Sequence, residues 1–135
     1  MKKVVVAEDN VLNRELLREL LEIRGYAVIE ACNGVEALEK IAQTNPDILL
    51  LDLNMPVLDG FGTIERIRKN PSSSTLPVLA VTAYAMDGDR EKVMASGFDG
   101  YLSKPIDAMA LQKELERLEQ RKSKKATGRS PSGSL

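Results

Sequence analysis

The sequence predicts an α/β domain built on a parallel sheet, because short β-branched runs alternate with segments of helical periodicity. Five such strand and helix pairs follow one another within the 135 residues. Four of the apolar runs lead into polar residues that carry chemistry. Since the carboxyl ends of parallel strands share the sheet edge at which such proteins bind ligands, the sequence predicts one domain with one polar site at that edge.

The first two strands and helices are predicted in the first third of the chain. Their bounds are Lys3 to Ala7, Val11 to Arg24, Ala27 to Ala31 and about Val35 to Gln43. Apolar side chains at helical spacing, followed by Gly25, indicate the buried face of the first helix: Leu16, Leu17, Leu20 and Ile23. A smaller apolar stripe marks the second helix: Ala37, Leu38 and Ile41.

The third strand, Asp47 to Leu51, is almost entirely aliphatic, as a central strand covered on both faces requires, and it leads directly to Asp52. The remaining elements alternate between helix and strand: Gly60 to Lys69, Pro77 to Val81, Met86 to Ser96, Gly100 to Ser103, and Asp107 to about Gln120. Proline is tolerated at the first residue of a strand, and aspartate is a favoured N-cap of a helix. Both preferences support the predicted starts at Pro77 and Asp107.

Composition places the chain among ordinary soluble domains, with 43% hydrophobic and 29% charged residues. The sequence shows neither a signal peptide nor an apolar run long enough to span a membrane. Its single cysteine, Cys32, cannot form an internal disulfide, which agrees with a reducing compartment. We therefore expect a cytoplasmic protein without a membrane partner.

Charge is divided unevenly along the chain, although the net charge is -1. Residues 121–135 hold five basic side chains and no acid, which leaves 14 basic against 20 acidic residues in positions 1–120. The acidic body argues against direct binding of nucleic acid. The tail is rich in Ser, Lys and Gly and shows no hydrophobic periodicity, so we predict a domain over residues 1–120 and a disordered basic tail over residues 121–135.

Three carboxylates converge on the predicted polar edge: Glu8 and Asp9 after the first strand, and Asp52 after the third. Alone, each carboxylate fits a helix cap or a turn. Together, like charges at close range strongly disfavour joint ionisation, so either a cation or protons must occupy the site. Hard oxygen ligands without histidine fit Mg2+, with Mn2+ as a substitute. The predicted ligands are Asp9, Asp52, the backbone carbonyl of Asn54 and, through water, Glu8.

Thr82 follows the fourth apolar run and Lys104 follows the fifth. In isolation, Thr82 fits an ordinary strand position and Lys104 a solvated surface lysine. At the same sheet edge, a hydroxyl and an ammonium are suited to hydrogen-bond and neutralise a phosphoryl group carried by Asp52. The set therefore predicts phosphoryl transfer with aspartate as the covalent nucleophile.

From Lys2 to about Glu119 the chain resembles the receiver domain of two-component response regulators, the CheY-like superfamily. The motifs that carry the resemblance follow in family order: Glu8-Asp9-Asn10, Asp52 with Met55-Pro56 and Asp59-Gly60, Thr82-Ala83, Tyr101, and Lys104-Pro105. The resemblance implies a flavodoxin-like, doubly wound fold with five helices and five parallel strands in the order 2-1-3-4-5. It also implies that Asp52 takes a phosphoryl group from a histidine kinase or a phosphotransfer protein with Mg2+ present, and that the Lys104-Pro105 bond is cis.

The resemblance further implies a conformational switch. Phosphorylation would draw Thr82 toward the phosphoryl oxygens and let Tyr101 move inward, which changes the surface of the fourth helix, fifth strand and fifth helix where a downstream protein binds. Lys104 and Pro105 belong to the same switch. A receiver of this kind catalyses only its own phosphorylation and dephosphorylation. Tyr84 is expected to overhang the site and to hinder water.

Finer features favour one type of receiver. The stretches from Glu8 to Asn13 and from Thr82 to Met86 look like those of DivK-like cell-cycle regulators and of hybrid-kinase receivers more than those of the flagellar-motor type. Met1, directly before the first strand, favours a stand-alone single-domain regulator over a receiver fragment of a hybrid histidine kinase.

Two other classes of protein fit the residues less well. A phosphatase of the haloacid dehalogenase type would need an aspartate two residues after Asp52 and a threonine two further on, where this chain has Asn54 and Pro56. A nucleotide-binding module would need a glycine-rich phosphate loop after a strand, and none is present.

Overall fold

A computed structural model describes residues 2–83 and 89–132 of the chain, with side chains for residues 2–83 and 90–120. The five strands are β1 Lys3–Ala7, β2 Ala27–Ala31, β3 Ile48–Asp52, β4 Val78–Thr82 and β5 Gly100–Ser103. The five helices that alternate with them are α1 Val11–Ile23, α2 Gly34–Thr44, α3 Gly60–Lys69, α4 Asp89–Ala95 and α5 Ala108–Ser132.

The strands form one parallel sheet in the order β2-β1-β3-β4-β5, which confirms the order implied by the resemblance. Parallel neighbours need crossover connections, and the helices provide them. Every strand lies within one residue of its predicted bounds; β4, for example, begins at Val78 and not at Pro77. No helix within the described ranges has the length and apolar character needed to cross a membrane.

Helices cover both faces of the sheet, so the core has two layers. On one face, α1 and α5 pack against the strands through a cluster of buried aliphatic side chains: Val4, Val6, Leu17, Leu21, Ile48, Leu50, Leu79, Leu102, Leu111, Leu115 and Leu118. On the other face, α2, α3 and α4 contribute to a second cluster: Val5, Ala7, Ala37, Leu49, Leu51, Ile64, Ile67, Val78, Ala80 and Val93. All five residues of β3 are buried, as predicted for a central strand.

The predicted apolar face of α1 is wrong at two positions. Leu17 and Leu21 are buried and Leu20 packs beside them, whereas Leu16 is 43% exposed and Ile23 is 79% exposed. Residues four apart lie on one side of a helix, while neighbouring residues are rotated by about 100°. Because this helix carries more leucine than its contact surface can bury, packing on Leu17 and Leu21 turns Leu16 and Ile23 toward solvent.

Two predicted helix ends, the start of α4 and the end of α5, differ from those of the described residues. Helix α4 begins at Asp89, and both the predicted start at Met86 and the expected position of Tyr84 lie outside the described residues. Helix α5 continues from the predicted end near Gln120 to Ser132. Lysine, arginine and alanine are good helix formers and make up five of residues 121–127, which agrees with a helical backbone there. The domain boundary at residue 120 and the disorder of the tail in solution stay predictions.

Candidate functional site

The polar residues predicted from the strand ends meet at the carboxyl edge of the sheet. Asp52 and Thr82 are the last residues of β3 and β4, Glu8 and Asp9 follow β1, and Lys104 follows β5. Parallel register aligns these ends, since Ala7 pairs with Leu51 and Asp52 pairs with Val81. The site is therefore assembled from four strands, as the sequence predicts.

Asp52 is buried, with 3% of its surface exposed. One carboxylate oxygen, Oδ1, accepts a hydrogen bond from the backbone N–H of Asn54 at 3.0 Å. The other, Oδ2, accepts from the Lys104 ammonium at 3.1 Å. Both oxygens are thus held by donors, which fixes the carboxylate at the end of the most buried strand.

The loop that follows Asp52 returns at once to start α3. Asp59 caps that helix, because its side chain accepts a hydrogen bond from the N–H of Gly62 at 2.8 Å. At Gly60 the helix approaches β3 so closely that a Cβ atom would lie 2.7 Å from the Cα of Leu53 and 2.9 Å from the Asp52 carbonyl oxygen. Glycine is needed there, since a side chain would push the helix away from the strand end that carries Asp52.

Glu8 lies deeper than expected for a residue at a strand end, with 1% of its surface exposed, while Asp9 beside it is exposed. One Glu8 oxygen is 2.5 Å from the Lys104 ammonium, and the other accepts from the N–H of Asn10 at 3.2 Å. The side chain of Asn10 in turn caps α1 by accepting from the N–H of Asn13. Lys104 therefore bridges two buried acids that belong to different strands.

These contacts shift the protonation of the site. Burial and the nearby Asp52 carboxylate raise the pKa of Glu8 from 4.5 to about 7, against the opposing effect of Lys104. Burial acts to lower the pKa of Lys104, but hydrogen bonds and ion pairs with Glu8 and Asp52 outweigh it, so that this pKa is raised. The lysine therefore stays charged between the two buried acids.

The residues at this edge fit a divalent cation. Glu8, Asp9 and Asp52 each offer a carboxylate oxygen, and the three oxygens lie within 4.8 Å of one another. Burial, with the Asp52 carboxylate beside it, disfavours the charged form of Glu8, and a cation would offset that cost. Carboxylate oxygens are the ligands that Mg2+ prefers in proteins. Asn54, the fourth predicted ligand, is anchored beside them through its N–H.

The four predicted switch residues, Thr82, Tyr101, Lys104 and Pro105, lie on or directly after β4 and β5. Thr82 is buried, with 2% of its surface exposed, and its carbonyl oxygen accepts from the N–H of Lys104 at 2.7 Å. Tyr101 on β5 is half-buried and packs against the core layer of α2, α3 and α4. The Lys104-Pro105 peptide bond is cis, as the resemblance implies.

Two residues beside the site were missed by the sequence analysis. Arg14 on α1 donates a hydrogen bond to the Glu8 carbonyl oxygen at 2.8 Å, and Glu30 on β2 accepts from Arg14 at 3.1 Å. The available signal was Glu30 itself, because it is the one acid in the otherwise apolar run Ala-Val-Ile-Glu-Ala. A charged residue inside so short a strand requires a partner.

A 2-1-3-4-5 sheet that carries three carboxylates and a lysine at its carboxyl edge defines a receiver-type signalling domain. The chain belongs to the family of response regulator receiver domains of two-component signalling, whose family model matches residues 4–116. Members of this family act with histidine kinases or phosphotransfer proteins and with downstream targets, and they are signalling domains, not metabolic enzymes.

Individual relatives agree with this assignment. The polar-differentiation response regulator DivK of Brucella anthropi is 40% identical over 105 residues, which cover 78% of this chain and 85% of that protein. The structure of the chemotaxis protein CheY4 of Vibrio cholerae matches with a TM-score of 0.81 and 31% identity, covering 87% of this chain and 98% of that one.

A third relative bears on the cation. It is the receiver domain of a sensor histidine kinase from Pseudomonas aeruginosa, 32% identical, with a TM-score of 0.80 over 87% of this chain and 96% of that one. Its structure is described as holding a magnesium ion in the active-site cleft. Receiver domains thus bind Mg2+ at an acidic site, and this chain has such a site in Glu8, Asp9 and Asp52.

Proposed function

We propose that Asp52 is the phosphoryl acceptor of this receiver and that the charge of its carboxylate controls the shape of the carboxyl edge. The observation that supports this most is the placement of Asp52. Its carboxylate is buried at the end of β3, oriented by the Asn54 N–H and the Lys104 ammonium, and joined by two further acids. Positioning and charge are the main requirements of phosphoryl transfer.

In the proposed reaction an Asp52 oxygen attacks the phosphorus of a phosphohistidine, the phosphorus–nitrogen bond breaks, and the histidine leaves. Lys104 is placed to neutralise the phosphoryl oxygens, because its ammonium already lies 3.1 Å from Asp52. The Thr82 hydroxyl is the proposed hydrogen-bond donor on the neighbouring strand. Mg2+, or Mn2+ in its place, would be held by Asp9, Asp52 and Asn54 with Glu8 behind them, and would offset the carboxylate charge. The chain would catalyse only this transfer and the later hydrolysis of its own phosphoaspartate.

The same proposal includes a switch from Thr82 to Tyr101. Ala80 pairs with Tyr101 and Thr82 pairs with Ser103, so Thr82 and Tyr101 occupy the same face of adjacent strands. A shift of Thr82 toward a phosphoryl group would therefore change the space available to the Tyr101 side chain.

We expect the amide resonance of Tyr101 to shift on phosphorylation in the wild-type protein and not in phosphorylated Thr82→Ala. NMR spectra of the two proteins with and without the phosphoryl group test this.

The proposed partners follow from this chemistry. A sensor histidine kinase or a histidine phosphotransfer protein would supply the phosphoryl group, and a downstream protein would bind the face formed by α4, β5 and α5. The cytoplasmic location expected from the sequence belongs to this proposal. So does the absence of direct contact with nucleic acid, supported by the acidic body of the domain.

Intact-mass analysis with acetyl phosphate and Mg2+ tests the phosphoryl acceptor. We expect one phosphoryl adduct on the wild-type protein, no adduct on Asp52→Asn, and no adduct on the wild type in EDTA. Asp59→Asn is the matched control, because it makes the same chemical change at an exposed acid seven residues along the chain. An adduct of unchanged yield on Asp52→Asn would place the acceptor elsewhere.

A further inference from the structure

We infer that Arg14 is a positioning residue for the cation site, which it serves by fixing the turn that carries Glu8 and Asp9. The inference rests on the proposed function, since it concerns the same site. Arg14 contacts neither a carboxylate of the acidic cluster nor Lys104 among its described hydrogen bonds. It acts on the backbone from which two of the three acids project.

The contacts of Arg14 connect three elements. From α1, its Nη1 donates to the carbonyl oxygen of Glu8 at 2.8 Å, while its Nε donates to the Glu30 carboxylate on β2 at 3.1 Å. The Arg14 side chain is 17% exposed, so it is more enclosed than a surface arginine. Arg18, one turn further along α1, donates to the other Glu30 oxygen at 3.1 Å.

The Glu8 backbone is consequently tied to β2 on both sides of the residue. Its N–H donates directly to the carbonyl oxygen of Ala31 at 3.0 Å, and its carbonyl oxygen is held through Arg14 and Glu30. A peptide unit is planar. Fixing the Glu8 carbonyl therefore also fixes the orientation of the Asp9 N–H and the position of the Asp9 Cα atom. Asp9 is exposed and has no burial to hold it in place.

A purely structural alternative has to be considered for this arginine. Glu30 is 33% exposed, and ion pairs open to solvent contribute little to stability, so the Arg14–Glu30 pair alone would matter only modestly. The hydrogen bond to the Glu8 carbonyl distinguishes the two roles. Arg18 shares Glu30 but makes no described contact with the turn, so the two arginines differ in the feature on which the inference depends.

Equilibrium binding of Mg2+ to metal-free protein tests the inference without any phosphorylation assay. Mg2+ is titrated into 15N-labelled wild type, Arg14→Gln, Arg14→Lys and the matched control Arg18→Gln, and Kd is taken from amide shifts. We expect Arg14→Gln to weaken Mg2+ binding about tenfold, the lower end of the effect of residues that orient metal ligands. Arg18→Gln should bind within about twofold of the wild type. Arg14→Lys should recover part of the loss, because an ammonium can still donate to the carbonyl.

The melting temperature, measured on the same samples, separates positioning from stability. A fall in melting temperature with unchanged Kd in Arg14→Gln would overturn the inference and leave the proposed function intact. Wild-type protein that binds no Mg2+ would overturn both. If Arg14→Gln does not fold, Glu30→Gln replaces it, since it removes the charge that Arg14 and Arg18 share and leaves both arginines in place. Weaker Mg2+ binding by Glu30→Gln than by Arg18→Gln supports the inference, and equal binding contradicts it.

Discussion

Glu8 and Asp9 are adjacent acids with different environments, and this difference determines what each can do. The Glu8 carboxylate is enclosed between Asp52 and Lys104, whereas Asp9 projects into solvent. Burial beside a like charge favours the protonated form of Glu8. Glu8 is therefore suited to gain or lose a proton when the charge at the site changes. Asp9 is suited to contact a cation directly.

The stability of the metal-free protein is expected to depend on Glu8 ionisation. Between its ordinary pKa of 4.5 and the raised value of about 7, the folded protein holds a proton on Glu8 that the unfolded chain has lost. Stability contributed by that proton is complete below pH 4.5 and is lost as the pH rises to about 7. We therefore expect the melting temperature in EDTA to fall as the pH rises from about 5 to about 7.5.

Glu8→Gln is the control for this pH dependence, because it cannot ionise. The chain has no histidine, so no histidine titrates in the same window. Thermal melts followed by circular dichroism should show a smaller slope in Glu8→Gln than in the wild type. Equal slopes in the two proteins would show that another group is responsible.

At the scale of single residues, the sequence predicted the acids and the lysine but not the residues that orient them. Asp52 and Lys104 follow apolar runs, and strand ends of a parallel sheet converge, so their proximity could be inferred. Arg14 lies on a helix face whose orientation depends on packing that periodicity alone does not fix. No sequence pattern predicts the hydrogen bond from Arg14 to a backbone carbonyl. The one indication was Glu30, an acid within an apolar strand.

At the scale of elements, the start of α3 determines where Asp52 is held. Gly60 lies against the backbone of Leu53, and its own N–H donates to the Leu53 carbonyl oxygen at 3.0 Å. A methyl group at residue 60 would meet main-chain atoms, which cannot rotate away. We expect Gly60→Ala to lower the free energy of unfolding by about 1–3 kcal/mol, as measured by urea denaturation.

Gly62, in the same turn of α3, offers a matched comparison. A Cβ atom there would meet the end of the flexible Leu58 side chain, with Cδ1 at 2.7 Å, and no backbone atom is among its near contacts. Alanine also favours helix over glycine by about 1 kcal/mol. Gly62→Ala should therefore be close to neutral, and a loss as large as that of Gly60→Ala would contradict the backbone explanation.

Strands were easier to predict than helix faces and helix ends, for a physical reason. A strand such as β3 is defined by its own run of aliphatic residues and by burial on both sides, so its position follows from composition to within one residue. The buried face of α1 depends on which leucines fit the sheet, and Leu16 and Ile23 fit no space there. The end of α5 has no apolar stripe to mark it, because the only apolar side chains beyond Glu119 are those of Ala126, Pro131 and Leu135.

At the scale of the whole molecule, residues 1–120 carry a charge of -6 and residues 121–135 a charge of +5. The second of these segments has few apolar side chains, and Gly128 and Pro131 are poor helix formers. We expect amide protons of residues 121–132 to exchange with solvent almost as fast as in an unfolded peptide, while those of Leu111 to Leu118 are protected.

Hydrogen exchange followed by NMR checks this expectation, and a truncated protein ending at Gln120 provides the control. Truncation should leave the melting temperature unchanged to within about 1 °C, since the tail has few apolar side chains whose burial could add stability. Protection of residues 121–132 equal to that of Leu111 to Leu118 would show a stable helix and contradict the predicted tail.

The burial of β3 has a mechanical consequence for any group attached at its end. All five of its residues are buried, and its three central residues, Leu49, Leu50 and Leu51, pair with both β1 and β4. The turn at Asp9 and the loop at Asn54 and Val57 are, by contrast, exposed. A close-packed interior transmits strain and barely compresses, so β3 is the stiff support of the site and these loops are its compliant parts. When a group is attached to the Asp52 carboxylate, we therefore expect these exposed loops to move and β3 to keep its position.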